Sequence, residues 1–544
     1  MTKGAEITFE PPGPGSWMLD TTHHGRRPLT RYMQPLYLNM FAEGFPRLLE
    51  KYGLPLEEFR AGLAHGCFYV RPMGIGEPEK PGKQPPAFVL NLISRVHPEL
   101  RRRNRIVKQA WEERRWRQDV DDWFGGDRDQ LIAINSSFQA VDPAGLDDEA
   151  LIAHLAEVTA HLLDQTNLAF ETHGGDLIPV GDYLAHCARW GIDAQEASAL
   201  LRGSSPASIE TVELLVPVAR ARESVATPPA SMEALRALGP DVDEAVGKWL
   251  ALHGWRLLAS DDFDSPTLSE QPDLQLRALL AASTVEATPA VADDDLRSRV
   301  PPEDRALFGD LLAEARYGLQ LRDDNVGVRW NWPAGLVRRA LLEAGRRLVG
   351  RGTMTEDFHV LELDADEITA LLRGAGEPDR DEITARWRRR DAVIAADPPD
   401  TLGPESAPPP VDAFPAPLAR ATAAILATVA AMEGEPSVEP LAGSGVGQDP
   451  ATGRALVAAS SADAFERLSD GDILVAPYTG PAWNSLLPML AGIVVEECGP
   501  MCHAAIVTRE FGIPALVGVT GATDLVPDEA TVNVDPTEGR LIVS

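Results

Sequence analysis

Cysteine is scarce in this 544-residue chain: Cys67, Cys187, Cys498 and Cys502 are the only four, and none forms a C-x-x-C pair. This excludes a disulfide framework, and it leaves no second pair with which Cys498 and Cys502 could complete a zinc site. A reducing, cytoplasmic setting is the expectation. Positive charge is also short, with 50 Lys+Arg against 82 Asp+Glu and a net of −32. Attraction to phosphate backbones or anionic lipid needs clustered Lys and Arg, so neither nucleic acid nor a membrane is an expected partner. No run of about 20 apolar residues and no signal-peptide core is visible. The chain has 44% hydrophobic residues, enough for about three or four folded units.

From Pro35 to about Ala395 the apolar residues recur at helical spacing, as at Leu151, Leu155, Val158 and Leu162. This predicts a mainly α-helical domain over 1–395, broken by turns or loops at 71–86, 203–206 and 287–302. Residues 397–417 carry eight prolines, which favour extended chain over helix. With the Ala-rich helix expected at 418–432, they form a linker and connecting helix over 396–435. The texture then changes to short β-type runs at 472–476, 492–496, 515–519, 531–534 and 541–543, so 436–544 reads as a small, separate β/β/α domain. Within it, 502–511 has good helix formers and stops at Gly512, with Pro514 beyond.

His503 falls in the first turn of that helix, after the tight 497–501 loop. Unpaired backbone N–H groups and the positive end of the helix dipole make such a place receptive to phosphate. Imidazole is also a competent nucleophile near neutral pH, so a phosphoryl group could be held on the ring and passed on. The competing reading is a capping or buried structural histidine.

The residues 471–483 (GDILVAPYTGPAW), 492–496 (GIVVE) and 499–518 (GPMCHAAIVTREFGIPALVG) resemble the swivelling phosphohistidine domain of phosphoenolpyruvate-utilising enzymes. In that family the His of a G-x-x-[ST]-H-A-A-I-x-x-R-E-x-G-I-P-A run is phosphorylated, and His503 occupies its place. Two departures stand out: Cys498 where a second Gly is usual, and Cys502 for the Ser or Thr before the His.

The order helical region, linker, terminal His domain is similar to rifampin phosphotransferase and its relatives, which place the substrate domain before the His domain. Weaker similarities run through the helical region. His253-Gly-Trp-Arg256 and Glu270-Gln-Pro272 resemble a G-x-R…E-x-P stretch, 321–325 (LRDDN) an L-R-E segment, and 357–367 (DFHVLELDADE) a D-I-F-x-L…E-L element. By this resemblance Arg322 stands at the transfer site, where a guanidinium could clamp phosphoryl oxygens. Arg256 falls to substrate binding. The family's Lys four residues after that Arg is Val326 here; Arg329 could substitute for it, although an exposed helix arginine is the commoner explanation. Trp17, Asp20 and His23 match a W-x-x-D-x-x-H stretch, so Asp20, His23 and His24 are candidate pocket residues.

The family's ATP-grasp region has no counterpart in the sequence, and no Gly-x-x-x-x-Gly-Lys loop replaces it. The glycines 443–447 read as a turn leading into the terminal domain. No cofactor held by this chain is evident, and ATP with Mg is expected on a separate ATP-grasp subunit. His154, Glu157 and His161 could share a helix face, but packing is the commoner role and no metal is predicted. The basic run Arg101 to Arg117 reads as a solvated face or a docking surface for an acidic partner. The expected activity is a phosphotransferase component. His503 takes a phosphoryl group, Arg322 clamps it, and a small-molecule hydroxyl receives it, with dehydration as one outcome. The alternative is a non-catalytic relative that binds a small molecule or partner and keeps the His domain as a scaffold.

Overall fold

A computed structural model describes residues 7–20, 26–78, 87–258, 262–281, 293–404, 409–434, 437–447, 449–458, 463–464, 467–479, 483, 487–496 and 499–544. A large, mainly helical region precedes a β-rich C-terminal domain, the expected fold class. The periodic residues of the helix Asp148–Thr172 are buried as their spacing requires. Its start is capped by Asp147, whose carboxylate accepts the Ala150 N–H at 2.8 Å. This helix packs between Gln34–Tyr52 and Trp332–Gly350. A second stack centres on Gly174–Arg189, which lies against Arg305–Leu319 and Ala416–Glu433. The close approach depends on glycine: a Cβ at Gly181 would collide with the Ala424 carbonyl, and one at Gly318 with the Gly175 carbonyl.

The helical region also carries a four-stranded antiparallel sheet that its periodicity does not announce, ordered β2-β3-β1-β4. The strands are β1 (Trp17–Leu19), β2 (Leu56–Ala64), β3 (Cys67–Gly74) and β4 (Thr401–Leu402). β2 and β3 turn through His65 and Gly66, both at positive φ (52° and 86°), the geometry that matches strand twist. β4 lies inside the expected linker and pairs with β1. Proline lacks an N–H but keeps its carbonyl: Pro398 accepts from Arg26 at 2.8 Å and Pro399 from the Tyr69 hydroxyl at 2.8 Å. Arg26 also pairs with Asp397 at 2.7 Å and Asp400 at 2.5 Å. The start of this segment is therefore tied to the helical region. Its far end, Ala416–Glu433, is the one helix among the described residues long and apolar enough to cross a membrane; it packs on Gly174–Arg189.

The C-terminal domain is a seven-stranded mixed sheet, β11-β10-β6-β7-β8-β9-β5. Its strands are β5 (Ser444–Val446), β6 (Ala451–Val457), β7 (Asp472–Ala476), β8 (Leu490–Val495), β9 (Ala515–Val517), β10 (Thr531–Asp535) and β11 (Arg540–Val543). β6 to β9 are parallel and the outer pairs antiparallel. The glycines read as a turn at 443–447 contain β5, an edge strand on β9. One face of the sheet closes over Ile473, Val475, Val494, Leu516 and Val532. The other buries Leu474, Ile493 and Val495 with Ala504, Ala505 and Val507, in one cluster with Val218, Leu235, Trp249 and Leu279 of the helical region. The terminal domain is thus docked through a shared apolar core.

Candidate active site

The chain leaves β8 and enters the helix His503–Phe511 through Gly499-Pro-Met-Cys502. This loop lies on the end of Ala416–Glu433: Gly499 and Met501 N–H groups donate to Met432 and Ala431 carbonyls, each at 2.8 Å. Gly499 passes so close that a Cβ would strike the Ala431 carbonyl. Cys502 takes the N-cap place, its sulfur accepting the Ala505 N–H at 3.3 Å, and Gly512 ends the helix in the left-handed region (φ 69°). The thiol therefore keeps the capping role of the hydroxyl it replaces, as a weaker acceptor. Cys498 lies outside the described residues.

His503 stands in the first turn, half-buried, with Nδ1 sharing a hydrogen bond with Thr479 Oγ1 at 3.4 Å. Burial, and after it the charge of Arg322, pushes the imidazole down to about 3. It is therefore neutral across the physiological range, with a ring nitrogen able to attack phosphorus. Arg322, on a short helix after Arg305–Leu319, reaches across from the helical region and donates to the Met501 carbonyl at 3.3 Å. The fold brings the two sequence-predicted residues together, from opposite sides of the docked interface.

Around them lie partners the sequence did not signal. Ser205 donates to Asp323 at 2.5 Å. The Gly203 N–H lies 2.9 Å from each carboxylate oxygen of Glu510, at the far end of the His503 helix. Asp324 is buried, accepting from Trp123 Nε1 at 3.1 Å and Arg128 Nε at 2.7 Å. The next turn, Gly327–Asn331, is a π-helix, a bulge common at functional sites. On it Arg329 is buried and stacked over the Trp123 ring at 4.3 Å. That corrects the expectation of an exposed helix arginine: the bulge turns this side chain into the aromatic interior.

Arg256 lies against the same bulge, where a Cβ at Gly327 would sit 2.7 Å from its Nη1. Burial pushes it down to about 10 and, with the Arg256 charge, holds His253 well below its usual value. Glu270 is structural: it pairs with Arg338 at 2.9 Å and closes the capping box with Thr267. Asp20 follows β1, its N–H bonded to the Phe68 carbonyl at 3.0 Å, and no described contact joins it to His503 or Arg322. His23 and His24 lie outside the described residues. His154 and His161 pack against Phe138, and His161 bonds Asn135 at 2.8 Å. Among the described residues no group of three or more His, Cys, Asp or Glu is placed to hold a metal ion. The basic run is laced to acids: Arg102 and Arg103 to Glu99, Arg114 to Asp310, Arg117 to Glu314.

Residues 468–539 match the family model of the PEP-utilising enzyme, mobile domain. An uncharacterized protein of Mycobacterium tuberculosis is 30% identical over 343 residues, 62% of this chain and 36% of that protein. A rifampicin phosphotransferase of a Streptomyces species is 29% identical over 326 residues, 56% of this chain and 35% of that protein. That of Bacillus cereus is 45% identical over 91 residues, 17% of this chain and 10% of that protein. The chain thus spans about a third of the length of the longer-matching relatives.

Proposed function

We propose that this chain, which carries a PEP-utilising mobile domain, is a phosphotransferase component that relays a phosphoryl group through His503 to the hydroxyl of a small molecule held in the helical region. The single observation that carries this reading is Arg322, brought from the helical region onto the Met501 carbonyl at 3.3 Å, two residues before His503 at the start of its helix. In the charging step a ring nitrogen forms the N–P bond as the donor's O–P bond breaks. ATP with Mg, on a separate ATP-grasp subunit, is the donor this reading calls for. In delivery the N–P bond breaks and the acceptor oxygen bonds to phosphorus as its proton leaves. Arg322 offsets the charge that gathers on the phosphoryl oxygens, while the acceptor is oriented by the helical region. A phosphorylated hydroxyl is also a better leaving group, so a later elimination, in which the C–O bond breaks, phosphate departs and a neighbouring carbon gives up a proton, would make the net reaction a dehydration.

The test is chemical charging with phosphoramidate, followed by intact mass and fragment mapping. One phosphoryl group on His503, absent in His503→Ala, supports the relay; an unmodified His503 overturns it. The scaffold reading is favoured by one observation, the apolar cluster shared between the two regions. It requires substrate or partner binding that His503→Ala leaves unchanged.

A further inference from the structure

Acids outnumber bases, 82 to 50, so a basic side chain in this protein has carboxylates within easy reach. Many arginines elsewhere take one: Arg338 pairs with Glu270, Arg347 with Glu343 and Asp148, Arg390 with Asp264, Arg420 with Asp182, while the buried Arg509 settles on the Pro500 carbonyl. Against this background Arg322, Arg329 and Arg256, all on or against the segment 322–331, have no ion-pair partner among the described residues. Two of the three have an explanation already. Arg329 is stacked on Trp123, and Arg322 faces His503.

Arg256 has none. Its Nε is buried without an acceptor. The carboxylates nearest in charge are Asp324, Asp323 and Glu210, and all three have other commitments. Asp324 accepts from Trp123 and Arg128, Glu210 pairs with Arg128 at 2.5 Å, and Asp323 accepts from Ser205. The residue as a whole is half-buried, but a guanidinium whose Nε is out of water with no counter-ion among the described residues carries a cost that an incoming anion relieves. Gly327, on which it lies, is five residues beyond Arg322, about 7.5 Å along a helix axis.

We infer that Arg256 is the receptor for an anionic group on the acceptor, so that the substrate is a hydroxyl compound bearing a carboxylate or a phosphate. This rests on the relay reading of His503 and adds a substrate class to it. Arg322 holds the phosphoryl group at one end of the segment, while Arg256 holds the acceptor's charge at the other, fixing the distance between the anion and the hydroxyl. Gly327 is a positioning residue, because any side chain there would push the guanidinium aside.

The test uses thermal unfolding of the full chain in an Arg322→Gln background, which removes the phosphoryl station. Inorganic phosphate and benzoate are titrated separately, to tell a phosphate-bearing from a carboxylate-bearing acceptor. The expected result is that at least one anion raises the melting temperature. Adding Arg256→Met should raise the melting temperature without anion, since it removes a guanidinium whose Nε is buried without an acceptor, and should weaken the anion response roughly tenfold or more in half-saturating concentration. Gly327→Ala, which keeps the charge, should also weaken the response. The inference is overturned if neither anion shifts the melting temperature, if Arg256→Met leaves the response intact, or if Arg256→Met destabilises the chain. Phosphoramidate charging of wild-type His503 is run alongside: failure there sinks the relay while leaving anion binding at Arg256 standing.

Discussion

Replacing Glu362 by Gln should stabilise the protein above neutral pH and leave it unchanged in mild acid. Glu362 ends the 3-10 turn Asp357–Glu362 and is 6% exposed. One carboxylate oxygen has no hydrogen-bond partner and lies 3.6 Å from Arg390 Nε, while Arg390 is already paired with Asp264 at 2.6 Å. Three acids, Asp262, Asp264 and Glu362, thus crowd around Arg390, and Asp264 takes Arg27 as well, at 2.5 Å. Burial is the main cause that pushes Glu362 from 4.5 up to about 7, with Asp262 and Asp264 adding to it. Because the folded value is the raised one, the folded chain holds a proton that the unfolded chain releases. Stability from this group is full below 4.5, falls as pH rises toward 7, and stays lost above that. At about 1.4 kcal/mol per pH unit the loss reaches about 3 kcal/mol. Glutamine keeps the shape of the neutral acid and cannot ionise. Urea unfolding across this pH range should show wild type falling more steeply than Glu362→Gln, whose remaining slope includes the raised Asp262, with the two curves meeting in mild acid. Parallel curves would refute the argument.

Other outcomes follow from the same contacts. Arg322→Gln should raise the pKa of His503, read from its ring resonances by NMR, because a positive neighbour is removed; an unchanged value counts against the facing geometry. Cys502→Ser, which gives the helix a stronger cap acceptor, should stabilise the His domain by up to about 1 kcal/mol, measured by thermal melting. Gly181→Val should cost about 1–3 kcal/mol or more, because the Ala424 carbonyl occupies the place of its Cβ. Glu510→Ala removes a clamp at the far end of the His503 helix. His503 should then react faster with diethyl pyrocarbonate, and an unchanged rate would show that the apolar core alone holds the domain in place.

What could be read from the sequence was local. The strand 472–476 and the helix closing at Gly512 are fixed by hydrophobic runs and a left-handed stop, signals carried within about ten residues. The β2–β3 hairpin escaped because His65-Gly66 is not a usual signature for its turn. β4 escaped because prolines argue for extended chain and not for pairing. Of the site, His503 was legible as a candidate from its place at a helix start and was singled out by resemblance, whereas Arg322 was legible only through resemblance. That Glu510 meets Gly203 across 307 residues, or that Arg256 Nε is buried without an acceptor among the described residues, is a property of packing that no periodicity encodes.

The docked arrangement and the chemistry proposed for it are linked through charge. Half-buried beside Arg322, the imidazole is favoured as the neutral base. A protonated His503 would set two positive charges against each other, so protonation favours release of the domain. A phosphoryl group on the ring reverses this: it brings negative charge to a guanidinium that has no carboxylate partner among the described residues, and docking is strengthened by that attraction. Once the group has passed to an acceptor, the attraction is lost and the apolar contacts of the shared core, with the Gly203–Glu510 and Arg322–Met501 hydrogen bonds, hold the domain. On the relay reading, the occupancy of one ring nitrogen sets the strength of docking. A charged His503 should therefore protect the interface amides around Gly203 and Met501 from hydrogen exchange more than an uncharged one. Equal protection in the two states would break the link between charge and docking.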